Sequence, residues 1–260
     1  MATGRRWSLG RVGAMLTVML AVSAVPVVRF YQSYWPRVVA LPTMVRMREL
    51  REGGHWVSLN RVSPWVVRAL VATEDRTFYS NFGISFEGIA RSLLVDLTTH
   101  QFLEGGSTLT QQLVRDTLLS PDKTFRRKVA EALLAVLLTV IYSKREILSL
   151  YLNEVYLGNG YYGIGAASRG YFGVAANALT SAQATLVAGL PQAPSAYDPL
   201  VHLHQARARQ WQVLSSMVQD GLLTRQQAVH IFHMPLGLRR EGVSVKPDDR
   251  SHNSSNGRPR

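Results

Sequence analysis

The stretch LVATEDRTFYSNFG, residues 70–83, sets two acids, Glu74 and Asp75, directly behind an apolar run. The run follows Ser63-Pro64, where serine suits an N-cap and proline the first helical position. Trp65, Val66, Ala69, Leu70 and Thr73 recur at helical spacing. The pattern predicts a buried helix from Ser63 to about Phe78, with a carboxylate pair at its C-terminal end. The helix dipole is negative there, so an acid so placed is opposed and its pKa can rise towards neutrality. That suits a general base or acid. The bland reading pairs Glu74 with Arg76 or with a distant arginine.

The 260 residues are enough for one domain, or two, with a sizeable core. The absence of cysteine excludes disulfides, thiol catalysis and cysteine-ligated metals. A net charge of +12 implies an anionic partner: nucleic acid, an anionic membrane surface or a phosphorylated substrate. Part of the excess belongs to the polar segment beyond Arg239, read as a basic disordered tail over 236–260.

Residues 1–11 carry Arg5, Arg6 and Arg11 and read as a short cytoplasmic segment. Residues 12–28 are uncharged and mostly apolar, close to the shortest helix that spans a bilayer, about 17–25 residues. Phe30, Tyr31, Tyr34 and Trp35 follow as an interfacial aromatic belt. An uncleaved signal anchor is favoured over a peptide cleaved at Val22-Ser23-Ala24, because the apolar run passes Ala24. Arg29, Arg37, Arg46 and Arg48 lie beyond the span, so charge alone does not orient it. Residues 29–60, with Pro36, Pro42, Gly53 and Gly54, read as a connector to a domain over 61–235.

Phe86 to Thr98 is apolar at helical spacing, suited to core or to lipid. In GGSTLTQQLVR, residues 105–115, Ser107 or Thr108 can cap a helix, with Gln111 completing a capping box from Thr108. Such a helix start is an anion site, and Arg115 could add a fixed charge for a phosphate. Ser120-Pro121-Asp122 opens a predicted helix of about twenty residues to Tyr142, whose apolar body predicts a central, buried position. Arg127 and Glu131 stand four apart: either a structural ion pair or an acid held among cations at a cleft mouth. Ser143 and Glu146 form a capping-box pattern for a helix to about Asn153, and residues 156–173, rich in Gly and Tyr, read as a tight loop region. Thr180 or Ser181 caps a helix ended by Pro191 and Pro194, Gln205 to Asp220 is amphipathic, and Thr224 opens a last short helix. No strand-length alternation, internal repeat, Walker loop or Rossmann fingerprint occurs, and His202 and His204 fall in a loop-like stretch unsuited to a metal. The class is mostly α.

Five segments in order resemble the peptidoglycan glycosyltransferase family (glycosyltransferase family 51), shared by monofunctional transglycosylases and class A penicillin-binding proteins. They are Glu74-Asp75-Arg76-Thr77-Phe78, Gly106 through Gln111-Gln112 to Arg115, and Arg127-Lys128-Val129-Ala130-Glu131. Lys144 through Ile147-Leu148 to Tyr151-Leu152-Asn153, and Leu190-Pro191-Gln192-Ala193-Pro194, complete the set. The resemblance covers about Ser63 to Pro199. It implies a lysozyme-like helical domain with a small membrane-associated lobe, behind one N-terminal transmembrane helix. It implies lipid II and the nascent glycan strand as substrates, on the outer face of the bacterial cytoplasmic membrane. Penicillin-binding transpeptidases are the implied partners, and nucleic acid is not expected. Nothing after Pro199 is long enough for a transpeptidase, so a monofunctional enzyme is expected.

The resemblance implies Glu74 as the base that deprotonates the acceptor 4-hydroxyl, and Glu131 as the second catalytic residue, which would orient the neighbouring cations or assist departure of undecaprenyl pyrophosphate. Arg115, Arg127 and Lys128 would neutralise the leaving group. Ser107, Thr108, Gln111 and Gln112 would line the donor site, with Asp75 and Phe78 shaping the first motif. No cofactor is required, with a divalent cation (Mg or Mn) as an optional helper and no protein-held metal. Two departures stand out: Asn81 where the family usually has His, and Ser149 where it usually has Glu. Rival readings are a membrane-anchored lytic muramidase and a catalytically degenerate lipid II-binding scaffold.

Overall fold

The computed structural model describes residues 9–51, 56–88, 106–122 and 124–239, with side chains from residue 25 onward. Among the described residues the chain forms the α-helices α1 Leu9–Arg51, α2 Pro64–Glu74, α3 Leu109–Leu118, α4 Phe125–Ile141 and α5 Lys144–Glu154, then α6 Gly163–Phe172, α7 Ser181–Ala188, α8 Leu203–Gln219 and α9 Arg225–His233, and residues 86–88 are also helical. Strand pairing among them is limited to one antiparallel bridge, Tyr156 to Tyr162. α2 packs on α7 and α8, with α9 against α8, while α3 packs on α4 and α5, with α1 against α3 and α5. The buried apolar side chains of both groups merge into one core. The mostly helical class expected from the sequence is therefore observed.

Local capping sets most helix starts. Thr108, Ser143, Thr180 and Thr224 each accept the N–H three residues on, from Gln111, Glu146, Gln183 and Gln227, whose side chains reach back to complete capping boxes. Ser63 behaves differently. It precedes α2, but its hydroxyl donates to the Leu179 carbonyl at 3.1 Å rather than capping the helix. The predicted long helix starts later, at Phe125, because the Thr124 hydroxyl accepts the Arg127 N–H and takes the cap position. It is not buried all round: Glu131, Leu134, Ala135 and Leu138 face the core, whereas Phe125 is 84% exposed. Spacing of three and four puts only one face inward.

Two stretches expected to be irregular are helical. The first is the connector, which is helical to Arg51 and docks Val38, Leu41 and Val45 into the core. Pro42 has no N–H to give the Val38 carbonyl one turn back, and the Tyr142 hydroxyl donates to that carbonyl instead, at 2.8 Å. A distant side chain thus repairs the break that the prolines signalled. The second is the Gly/Tyr region, which contains α6; Gly170 faces the Tyr161 ring so closely that a Cβ would lie 2.2 Å from it. That glycine is therefore a packing device. Among the described residues no helix is long and apolar enough to cross a membrane. Most of the expected span 12–28, all of 89–105 and the tail 240–260 lie outside the residues whose side chains are described.

Gly83 closes the turn after α2. Its φ is +88°, and an added Cβ would sit 2.3 Å from the Ala135 carbonyl oxygen on α4. Gly83→Ala should therefore cost about 2–4 kcal/mol, from left-handed strain plus a backbone clash. Denaturant unfolding measures it; an unchanged midpoint would mean that this turn does not lie on α4.

Candidate active site

Glu74 ends α2 with a side chain 11% exposed. Arg209 of α8 donates through Nη2 to Oε1 at 2.9 Å, and Gln112 of α3 donates through Nε2 to Oε2 at 3.0 Å. The other end of Gln112 accepts from the Tyr151 hydroxyl of α5 at 3.0 Å. Burial, then the charge of Glu74, push the Tyr151 phenol well up, so it stays a donor. Arg209 is itself held by the Gly189 carbonyl at 3.2 Å and Gln212 at 3.0 Å. Among the described residues each carboxylate oxygen thus has one protein donor, with a lone-pair direction left for a substrate proton.

Asp75 turns inward. Its carboxylate accepts from the Leu109 N–H at 3.1 Å, from Asn81 Nδ2 at 2.9 and 3.2 Å, and from the Thr77 hydroxyl at 3.2 Å. Burial raises its pKa above the ordinary value, against those hydrogen bonds and the Lys144 charge, which lower it. The largest cause at Asp75 is burial rather than a helix terminus. A raised folded-state value means that ionising Asp75 costs stability as pH rises through the window above the ordinary carboxylate range.

Glu131 is 1% exposed and takes Arg127 Nη1 at 2.9 Å and Lys128 Nζ at 2.5 Å. Lys128, 48% exposed, also donates to the Ser107 hydroxyl at 2.7 Å. The Nε of Arg127 is buried and finds no acceptor among the described residues. Glu74, Asp75, Ser85, Glu87, Ser107 and Thr108 line a cleft open to solvent. One wall thus carries the held acid, and the other carries a hydroxyl tied to the cation cluster.

Of the other residues singled out in the sequence, Thr108 and Gln111 are buried in the α3 capping box, and Phe78 is fully buried in the core. Arg115 donates to its neighbour Asp116 at 2.8 Å. Ser149 contributes a carbonyl that accepts from Asn153. Sequence reasoning missed Arg209. A signal was present: it lies three and four residues from Ala206 and Val213, on the buried face of α8, where an arginine needs an acid. Among the described residues no group of three or more His, Asp or Glu is placed to hold a metal.

The Transglycosylase family model matches residues 43–218. The chain belongs to the transglycosylase family. It is 44% identical over 171 residues to penicillin-binding protein 1A of Escherichia coli, covering 66% of this chain and 20% of that protein. It is 42% identical over 188 residues to penicillin-binding protein 2D of Bacillus subtilis, covering 72% and 27%. With penicillin-binding protein 1A of Aquifex aeolicus the figures are 39% over 186 residues, 72% and 26%. The chain thus spans about a quarter of the length of these relatives. A solved structure of penicillin-binding protein 1A from Haemophilus influenzae aligns with 51% of this chain and 16% of its own, at 27% identity and a TM-score of 0.35.

Gln112→Leu would strip Glu74 of a donor and Tyr151 of its acceptor at once. Each buried group left unpaired costs about 1–3 kcal/mol. A loss of about 2–5 kcal/mol in denaturant unfolding is expected, and a loss below about 1 kcal/mol would show that this relay is not formed.

Proposed function

We propose that the domain polymerises lipid II into peptidoglycan strands, with Glu74 as general base and the Arg127–Lys128–Glu131 cluster at the leaving group. The observation that carries this reading is the cleft that joins an acid gripped by Arg209 and Gln112 to the hydroxyl bound by Lys128. Glu74 removes the proton of the acceptor GlcNAc 4-hydroxyl as that oxygen attacks the anomeric carbon of the donor MurNAc, with inversion. The bond to undecaprenyl pyrophosphate breaks, and its growing charge is met by Lys128, with the Arg127 guanidinium adding positive charge behind it. Glu131 holds both cations in register from behind, and Arg115 adds positive charge nearby. Ser107 and Gln112 contact the donor, while Asp75, Phe78, Thr108 and Gln111 shape the corner. A Mg or Mn ion, if used, would take most of its oxygens from the substrate pyrophosphate.

The same reading places the domain on the outer face of the cytoplasmic membrane, with 12–28 as a single-pass anchor. The apolar run and the +12 net charge support this. Penicillin-binding transpeptidases, which cross-link the product, are the proposed partners.

Detergent-solubilised protein should extend fluorescent lipid II into glycan chains, and Glu74→Gln should lose about 10²–10⁴-fold in rate. Folded protein that binds lipid II without polymerising it would overturn the reading in favour of a scaffold. Shortening of preformed strands would overturn it in favour of a hydrolase.

A further inference from the structure

We propose that Asn81 is a positioning residue: its carboxamide is a two-ended, non-titrating spacer that holds Asp75 on the start of α3, and so holds Glu74 beside it. The inference rests on the polymerising reading of the same cleft.

The amide uses both of its ends. Nδ2 donates to both oxygens of Asp75 and to the Thr77 hydroxyl at 3.2 Å. Oδ1 accepts from Lys144 Nζ at 2.8 Å and from the Gly83 N–H at 2.9 Å. The orientation is forced, since an ionised Asp75 only accepts and an ammonium only donates. Asp75 and Lys144 are the charged groups that contact Asn81 among the described residues. Lys144 opens α5, where the helix dipole disfavours a cation. It lies 4.9 Å from the Phe78 ring centre, and burial lowers its pKa while the Asp75 charge raises it. Its own helix gives no reason for its placement; Asn81, Asp75 and Phe78 do. One half-buried side chain thereby ties the end of α2 to α5, and through Asp75 to α3.

No titrating residue can do this at every pH. A neutral imidazole could donate to Asp75 and accept from Lys144. Once doubly protonated it has no lone pair for Lys144 and sets a cation against the ammonium. A carboxylate would face Asp75 with like charge until one of the two took up a proton that it could share.

The test follows lipid II polymerisation by the full chain in detergent between about pH 5.5 and 8.5, for the wild type, Asn81→His and Asn81→Asp. Unfolding midpoints are recorded at each pH. Relative to wild type, Asn81→His should run within about threefold at the alkaline end. It should then lose about tenfold or more as pH falls through about 6.5. Asn81→Asp should show the opposite slope, slow at high pH and recovering towards low pH. A purely structural loss would lower both variants by a constant factor, and flat ratios for both would overturn the proposal. Absence of polymer from the wild type would instead overturn the function proposed above. The unfolding midpoints would then decide the spacer, with opposed pH slopes supporting it and parallel ones overturning it.

Discussion

Asp75 sets a carboxylate against the first N–H of α3, where an α-helix leaves donors without backbone partners and its dipole favours negative charge. Glu74 is bonded to Asp75 through the chain, so the contact that seats one acid aims the other. Asp75 points into the protein and Glu74 to the cleft, opposite Gln112, three residues beyond the anchored N–H. Burying a charge is costly, and the raised pKa of Asp75 records that cost. The donors from Leu109, Asn81 and Thr77 keep the carboxylate hydrogen-bonded there all the same.

The second acid solves the reverse problem. α4 begins without an acid in its first turn but with Arg126, Arg127 and Lys128, against its own dipole. Glu131, one turn on, neutralises two of these cations from a fully buried position. Lys128 reaches past it to Ser107, so the start of α3 is gripped from the α2 side by Asp75 and from the α4 side by Lys128. The cleft therefore has Glu74 in its lining and, behind the Ser107 hydroxyl, the Lys128 ammonium. Such an arrangement fits the loss of a proton at one end of a reaction and the growth of negative charge at the other.

What was legible in the sequence was local. Capping boxes at Thr108–Gln111 and Ser143–Glu146 span three residues, and the Arg127–Glu131 pair spans four; all three form as read. The cap expected at Ser63 failed because a carbonyl from residue 179, unseen by local pattern, took its hydroxyl. Pro36 and Pro42 signalled a connector, yet a tyrosine a hundred residues later mends the helix. Arg209 was missed for the same reason: its acid is 135 positions away. Long-range partners decide such residues; periodicity can set Arg209 on a buried face but does not say which acid meets it.

The separation in sequence between Glu74 and its two donors has a consequence for biosynthesis. Gln112 follows the acid by 38 residues and Arg209 by 135. A ribosome makes the carboxylate first, its amide partner next and its guanidinium long afterwards. For the 135 positions that separate them, the carboxylate is present without the arginine that holds it. The constellation closes only when α8 packs against α2, so the Glu74–Arg209 pair forms together with that packing. Until that contact forms, Glu74 lacks the guanidinium that holds Oε1.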